Sequence, residues 1–202
     1  SPVPCAVLTA GDTTRELTDE EIRALVGRFA EAARRAAAAG FDVVEVHGAH
    51  GYLVGQFLSP YANRRTDEYG GDFERRLRFP LEVIAAVREA VGAEVPVLYR
   101  VSADEHVPGG LTIDDVCEIV PRLERAGVDL FDVSAGIYES AVWIVQPMEM
   151  RPACLAPLSR RIRARATVPV SVAGRIADAS VAEAVLEAGD ADFVTLGRAL
   201  HA

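Results

Sequence analysis

The chain has 202 residues, half of them hydrophobic but only 6% aromatic, and carries a formal net charge of −9. That length can bury one sizeable core, and the acidic balance excludes a nucleic-acid footprint, which requires a basic surface. No apolar stretch reaches the ~20 residues that span a bilayer and Ser1 opens no signal-peptide pattern, so the sequence reads as one cytoplasmic domain over 1–202 with neither nucleic acid nor membrane as partner.

Thr18-Asp19-Glu20-Glu21 is a capping box. It opens a helix whose Ile22, Leu25, Val26, Phe29 and Ala33 share one face until Gly40 stops it. A buried strand follows at 42–47. Residues 51–73 read as a long polar loop in which Arg64-Arg65 and Tyr69-Gly70-Gly71 are architecture rather than chemistry, before a helix over 74–91 that Pro80 starts or kinks. Next come a strand at 96–101, a helix at 113–126 capped by Thr112 and ended by Gly127, and a strand at 129–134. The helix at 155–165 carries the densest basic run, Arg160-Arg161 with Arg163 and Arg165, and a solvated helix face explains it. The tail repeats the unit with a strand at 168–173, a helix at 179–188 capped by Asp178, and a strand at 192–196. Cys5, Cys117 and Cys154 match neither a disulfide framework nor a zinc or iron–sulfur spacing; Cys117, among Val116, Ile119 and Val120, reads as a small buried hydrophobe.

The segment His47-Gly48-Ala49-His50-Gly51-Tyr52-Leu53 follows the apolar run Val43-Val44-Glu45-Val46 and places two imidazoles and a phenol where a buried strand breaks into a loop. α/β folds bind ligands beyond the carboxyl ends of such parallel strands, so His47, His50 and Tyr52 are expected to face a ligand. A metal site stands beside this reading, since His-x-x-His can chelate, but no third ligand follows at a recognisable spacing. A purely structural His/Tyr cluster is the other alternative.

Every strand ends in polar or glycine residues: His47, Arg100, Ser134, Gly174-Arg175 and Gly197-Arg198. An open doubly wound sheet binds its ligand at one switch point, whereas each strand of a (β/α)8 TIM barrel points its carboxyl end at the same pocket. The barrel is therefore the expected fold. Two Gly-Arg pairs after neighbouring strands suit the phosphate site that barrels build after strands seven and eight, with backbone N–H groups approaching through glycine and guanidinium closing on the anion. Surface arginines at strand exits are the alternative. The assignment makes the five strands four through eight of an incomplete barrel, and a complete one takes about 250 residues. Uncovered sheet edges call for a partner, either the missing barrel half or a second copy in a homo-oligomer.

The residues also carry a family resemblance. Gly40-Phe41-Asp42 and Glu45 through Leu53, then Gln56-Phe57-Leu58-Ser59-Pro60, Asn63 through Gly71 and Glu74-Arg75-Arg76-Leu77-Arg78-Phe79, closely resemble the old yellow enzyme family. These are the NADH:flavin oxidoreductases, a group that includes 2,4-dienoyl-CoA reductase-like enzymes. The match continues through Arg100-Val101-Ser102, Val133-Ser134-Ala135-Gly136 and both Gly-Arg turns. The resemblance implies an FMN-dependent reductase of activated C=C bonds, in which NADH or NADPH reduces the flavin and hydride passes to the β-carbon of a small-molecule substrate. It implies that His47 and His50 hydrogen-bond the substrate carbonyl and stabilise enolate-like charge, while Tyr52 gives the α-carbon its proton. Arg100 would lie against the flavin pyrimidine edge, and Gly174, Arg175, Gly197 and Arg198 would hold the FMN phosphate. The alternative for Arg100 is structural, an ion pair with Glu45, which shares the barrel interior by strand parity and would need a partner if buried; the two roles can coexist. Family members place further flavin contacts on the first three strands, and longer members add an iron–sulfur cysteine cluster and a second dinucleotide domain, none of which falls in this sequence. The expectation is thus a fragment or split part of a flavin reductase. Two alternatives remain: a non-catalytic remnant serving binding or assembly, and an unrelated phosphate-binding lyase or isomerase barrel, which explains the Gly-Arg turns but not the His47–Tyr52 run.

Overall fold

The computed structural model describes residues 15–201, so Cys5 lies outside the described residues. Helix α1 (Asp19–Ala38) begins as the capping box requires: the Thr18 hydroxyl accepts from the Glu21 N–H and the Glu21 carboxylate accepts from the Thr18 N–H. Strand β1 (Val44–Gly48) leads into a region expected to be loop throughout, yet Leu53–Leu58 form a short helix, α2. Six residues are too few for a 3.6-residue period to show in sequence, and Gly55 obscures the segment further by its poor helix propensity. Gly55 sits there because a Cβ would come within 2.8 Å of the Gly48 carbonyl oxygen.

The remainder of that region is architecture, as expected. The buried Arg65 guanidinium pairs with Asp67, Asp19 and Glu16 and donates to the Leu17 carbonyl at 2.7 Å, tying the loop to the approach of α1. A Cβ on Gly70 would meet Arg65 Cβ at 2.5 Å. Helix α3 (Phe73–Val91) is started by Asp72, whose side chain accepts from the Arg75 N–H, so Pro80 is interior to the helix and does not begin it. Strand β2 (Val97–Ser102), helix α4 (Ile113–Ala126) and strand β3 (Leu130–Ser134) fall within a residue or so of expectation, with Thr112 and Gly127 bounding α4. Helix α5 (Ala156–Arg163) ends in the basic run, where Arg160, Arg161, Arg163 and Arg165 pair with Asp190, Asp114, Asp192 and Glu118. Strand β4 (Val170–Val172), helix α6 (Ala179–Glu187) and strand β5 (Phe193–Val194) complete the described chain. The last two strands are shorter than expected, and among the described residues β5 pairs on one side only.

All four strand pairings are parallel and the order is β1-β2-β3-β4-β5. An open doubly wound sheet reverses its order at a switch point; this one never does, which is the sequence of a barrel wall. Period-two alternation sorts the strands. Val46, Tyr99, Val101, Phe131, Val133, Val170 and Val172 are buried against the helices. The opposite face carries one register row, His47, Arg100, Asp132 and Ser171, which is the barrel interior. No helix among the described residues is long and apolar enough to cross a membrane.

Candidate active site

His47 is the penultimate residue of β1, on the interior face, and the chain then turns sharply: His50 has φ +62° and Gly51 φ +72°. Left-handed backbone is uncommon for a residue with a side chain. At His50 it is fixed by two contacts, the His50 N–H donating to Ser102 Oγ at 2.9 Å and His50 Nε2 sharing a hydrogen bond with Ser134 Oγ at 2.7 Å. Ser102 in turn donates to the Gly136 carbonyl at 2.8 Å, so the ends of β1, β2 and β3 are laced together. Tyr52, at the N-cap of α2, returns its ring to the imidazole of His47. The His47 ring centroid lies 5.1 Å from those of both His50 and Tyr52. The three residues singled out from sequence therefore converge on one surface.

Charge state follows from the surroundings. Burial pulls the His50 imidazole down to about 4, assisted by the Arg100 guanidinium and by His47. Burial also lowers His47, with Arg100 adding and Asp132 opposing. Both rings are thus neutral at pH 7, and each neutral imidazole carries one N–H donor. With Ser134 donating to His50 Nε2, the His50 proton sits on Nδ1, and His47, His50 and the half-exposed Tyr52 phenol together offer donors to an oxygen acceptor.

The second part of the site is a cavity of about 510 Å3 lined by Arg100, Gly174, Arg175, Gly197 and Arg198 among others. All five residues expected to hold a cofactor thus share one wall. Gly174 has φ +111° and a Cβ there would press on Leu155 Cγ at 2.9 Å, so the position requires glycine both conformationally and sterically. The two arginines differ. Arg198 makes no side-chain hydrogen bond or ion pair among the described residues, whereas Arg175 donates to the Met148 and Met150 carbonyls at 3.2 and 3.3 Å. Arg175, also left-handed at φ +56°, therefore braces the 148–150 loop through Nε and Nη2 while lining the cavity.

Between the two parts lies Arg100. The ion pair with Glu45 that stood as the structural alternative does not form: Arg100 Nε sits 3.4 Å from Asp132 Oδ2 on the neighbouring strand. Direct register decides this, since Asp132 lies opposite Arg100 whereas Leu98 lies opposite Glu45. Glu45 is instead raised by burial and by the Asp132 charge, against a smaller lowering by Arg100. Thr195 Oγ1 donates to Asp132 Oδ1 at 3.0 Å and shares a hydrogen bond with Ser171 Oγ at 2.7 Å, in which Ser171 must then be the donor. The terminal nitrogens of Arg100 take no hydrogen bond among the described residues, and the residue lines the cavity.

Asp132 and Thr195 were missed from sequence, although a lone Asp between Phe131 and Val133 in a strand carried a signal by parity. Tyr138 was also missed. It lies in the short 3-10 turn Tyr138–Trp143 beyond β3, and its hydroxyl is hydrogen-bonded to that of Tyr52.

Comparison with known proteins gives the family. Residues 5–202 match the NADH:flavin oxidoreductase / NADH oxidase family. The chain is 48% identical over all its 202 residues to an NADH oxidase of Thermoanaerobacter brockii, of which it covers 31%. It is 45% identical over 188 residues to an NADPH dehydrogenase of Geobacillus thermodenitrificans, the match covering 93% of this chain and 53% of that protein. Morphinone reductase in complex with tetrahydroNAD shares the fold with a TM-score of 0.74 at 34% identity, over 93% of this chain and 48% of that one. The chain spans about a third to a half of the length of these curated relatives.

Proposed function

This chain belongs to the NADH:flavin oxidoreductase / NADH oxidase family, and from that premise we propose that it supplies the catalytic and phosphate-binding wall of an FMN-dependent reductase of activated C=C bonds. NADH or NADPH is the electron donor, and the rest of the barrel comes from a further segment or another copy. The observation that carries this reading is the meeting of His47, His50 and Tyr52 within ring-contact distance beside the Arg100-lined cavity.

The residues fit the cofactor. Gly174, Gly197, Arg198 and Arg100 line one cavity, and among the described residues the Arg198 guanidinium makes no hydrogen bond or ion pair, which suits it to a phosphate. A fixed cation at Arg100 would favour negative charge on a flavin held in that cavity. FMN, when bound, supplies the hydride that reaches the substrate β-carbon. The protein's own part is electrostatic and acid–base. Neutral His47 and His50 donate to the carbonyl oxygen, holding the substrate and stabilising the enolate-like charge that grows on that oxygen. The Tyr52 phenol presents its hydroxyl proton to the α-carbon.

The test uses the FMN-loaded holoenzyme without oxygen. After reduction with NADH or NADPH, mixing with a cyclic enone should restore the oxidised flavin spectrum and yield one equivalent of saturated ketone. A reduced flavin that reoxidises with oxygen but not with any enone or enoate would show an oxidase instead, and a protein that takes up no FMN would favour a non-catalytic remnant.

A further inference from the structure

We propose that Tyr138 is the relay residue that reprotonates Tyr52, carrying solvent protons from a separate cavity into the product; the inference rests on Tyr52 being the proton donor. The two phenol oxygens are hydrogen-bonded to each other, and the rings meet edge to face with centroids 5.6 Å apart at 81°. Tyr138 is held in place by its turn. The Ile137 N–H donates to Ser140 Oγ at 2.9 Å, and Ser140 Oγ donates to the Glu105 carbonyl at 2.6 Å.

Tyr52 thus stands between two spaces. One side of its ring faces His47, where substrate would bind; the other meets Tyr138, and both phenols line a cavity of about 280 Å3 with Gln56, Ser59, Tyr61 and Glu105. A substrate seated on the imidazoles covers the first side, leaving the route through Tyr138. The proton sequence balances. The Tyr52 O–H bond breaks as the bond from hydrogen to the α-carbon forms, leaving the electron pair on Tyr52 Oη. The Tyr138 hydroxyl proton moves to that oxygen, and Tyr138 Oη takes one from solvent, so one solvent proton enters the product per turnover. A hydroxyl that donates to a developing phenolate also stabilises it, because hydrogen bonds to charged groups are the strong ones.

Tyr138→Phe tests this in the FMN-loaded holoenzyme, since it keeps the ring contact and removes only the hydroxyl. Reduction by NADH or NADPH should be unchanged, while reoxidation at saturating enone should slow by about tenfold or more with little change in KM. Measured across mixtures of light and heavy water, the wild-type rate should curve with deuterium fraction as two protons move, and the variant's should become linear. As a readout independent of turnover, a slowly exchanging hydroxyl proton resonance of the wild type should vanish in both Tyr52→Phe and Tyr138→Phe. Wild-type rates with the same curvature in Tyr138→Phe overturn the relay. A raised KM at an unchanged saturating rate makes Tyr138 a substrate contact and also overturns it. If wild-type reduced flavin ignores enones altogether, the ene-reductase reading fails first and the relay falls with it.

Discussion

The imidazole of His50 and the hydroxyl of Ser134 share a hydrogen bond of 2.7 Å, joining the end of β1 to the end of β3 across the intervening strand. Because the ring is held where it cannot easily charge, this bond makes the fold sensitive to acid. His50 titrates at about 4 in the folded protein, against about 6.5 for an ordinary imidazole. Between those values the unfolded chain binds more protons than the native one, so stability falls as pH drops from about 6.5 toward 4, by at most about 3 kcal/mol. His50→Asn tolerates left-handed backbone and does not titrate, and should flatten that dependence. Urea unfolding of both proteins at pH 7 and at the acid end of the window measures it; parallel losses in the two would move the cause elsewhere.

Tyr52→Phe should leave flavin reduction by nicotinamide near wild type and slow reoxidation by enones by about 10²–10⁴-fold. His47→Ala or His50→Ala should chiefly weaken binding of substrate or of a phenol ligand. Stopped-flow flavin absorbance resolves the two half-reactions. Enone-dependent reoxidation of Tyr52→Phe at the wild-type rate would assign the proton to another group.

The two Gly-Arg turns should separate under mutation. Arg198→Ala removes one charge-assisted contact to phosphate, worth about 1.5–3 kcal/mol or roughly ten- to a hundred-fold in FMN affinity, and should barely affect riboflavin, which lacks the phosphate. Arg175→Ala unties the Met148 and Met150 carbonyls and should weaken both flavins alike while lowering Tm. Fluorescence titration with the two flavins gives the ratio directly; a matching loss for both with Arg198→Ala contradicts its phosphate role.

Gly48 is a packing requirement. A Cβ there would stand 2.0 Å from Tyr99 Oη and 2.1 Å from its Cζ, and Tyr99 is fully buried. Gly48→Ala should cost about 3 kcal/mol or more through overpacking. Gly27, inside α1 with nothing within 4 Å of a Cβ, is the control, and Gly27→Ala should stabilise by about 0.5–1 kcal/mol. Denaturant midpoints that move equally for the two would refute the steric account.

Much of this was legible in the sequence because the signals were local. Thr18, Thr112 and Asp178 announce helix starts by their own hydroxyl or carboxylate chemistry, and the His47–Tyr52 run exits a strand, so its destination follows from the fold. What escaped depends on register. Whether Arg100 meets Glu45 or Asp132 is decided by how β3 slides against β2, and no single-strand pattern records that. Tyr138 reaches Tyr52 across 86 positions of chain from a turn without periodicity. Arg175 looked equivalent to Arg198 because a Gly-Arg pair does not show which arginine the neighbouring loop will claim.

The interior row that runs from His47 through Arg100 to Asp132 makes protonation and cofactor loading conjugate variables. Arg100 disfavours the charged form of His47 and also lines the cavity of the two Gly-Arg turns. An anion entering that cavity offsets part of the Arg100 charge, so it must ease protonation of His47; by reciprocity, protonating His47 must tighten the anion by the same factor. A titration of flavin affinity against pH and a titration of His47 against flavin occupancy are therefore one measurement made from two directions, and any disagreement between them would reveal a third group in the same circuit.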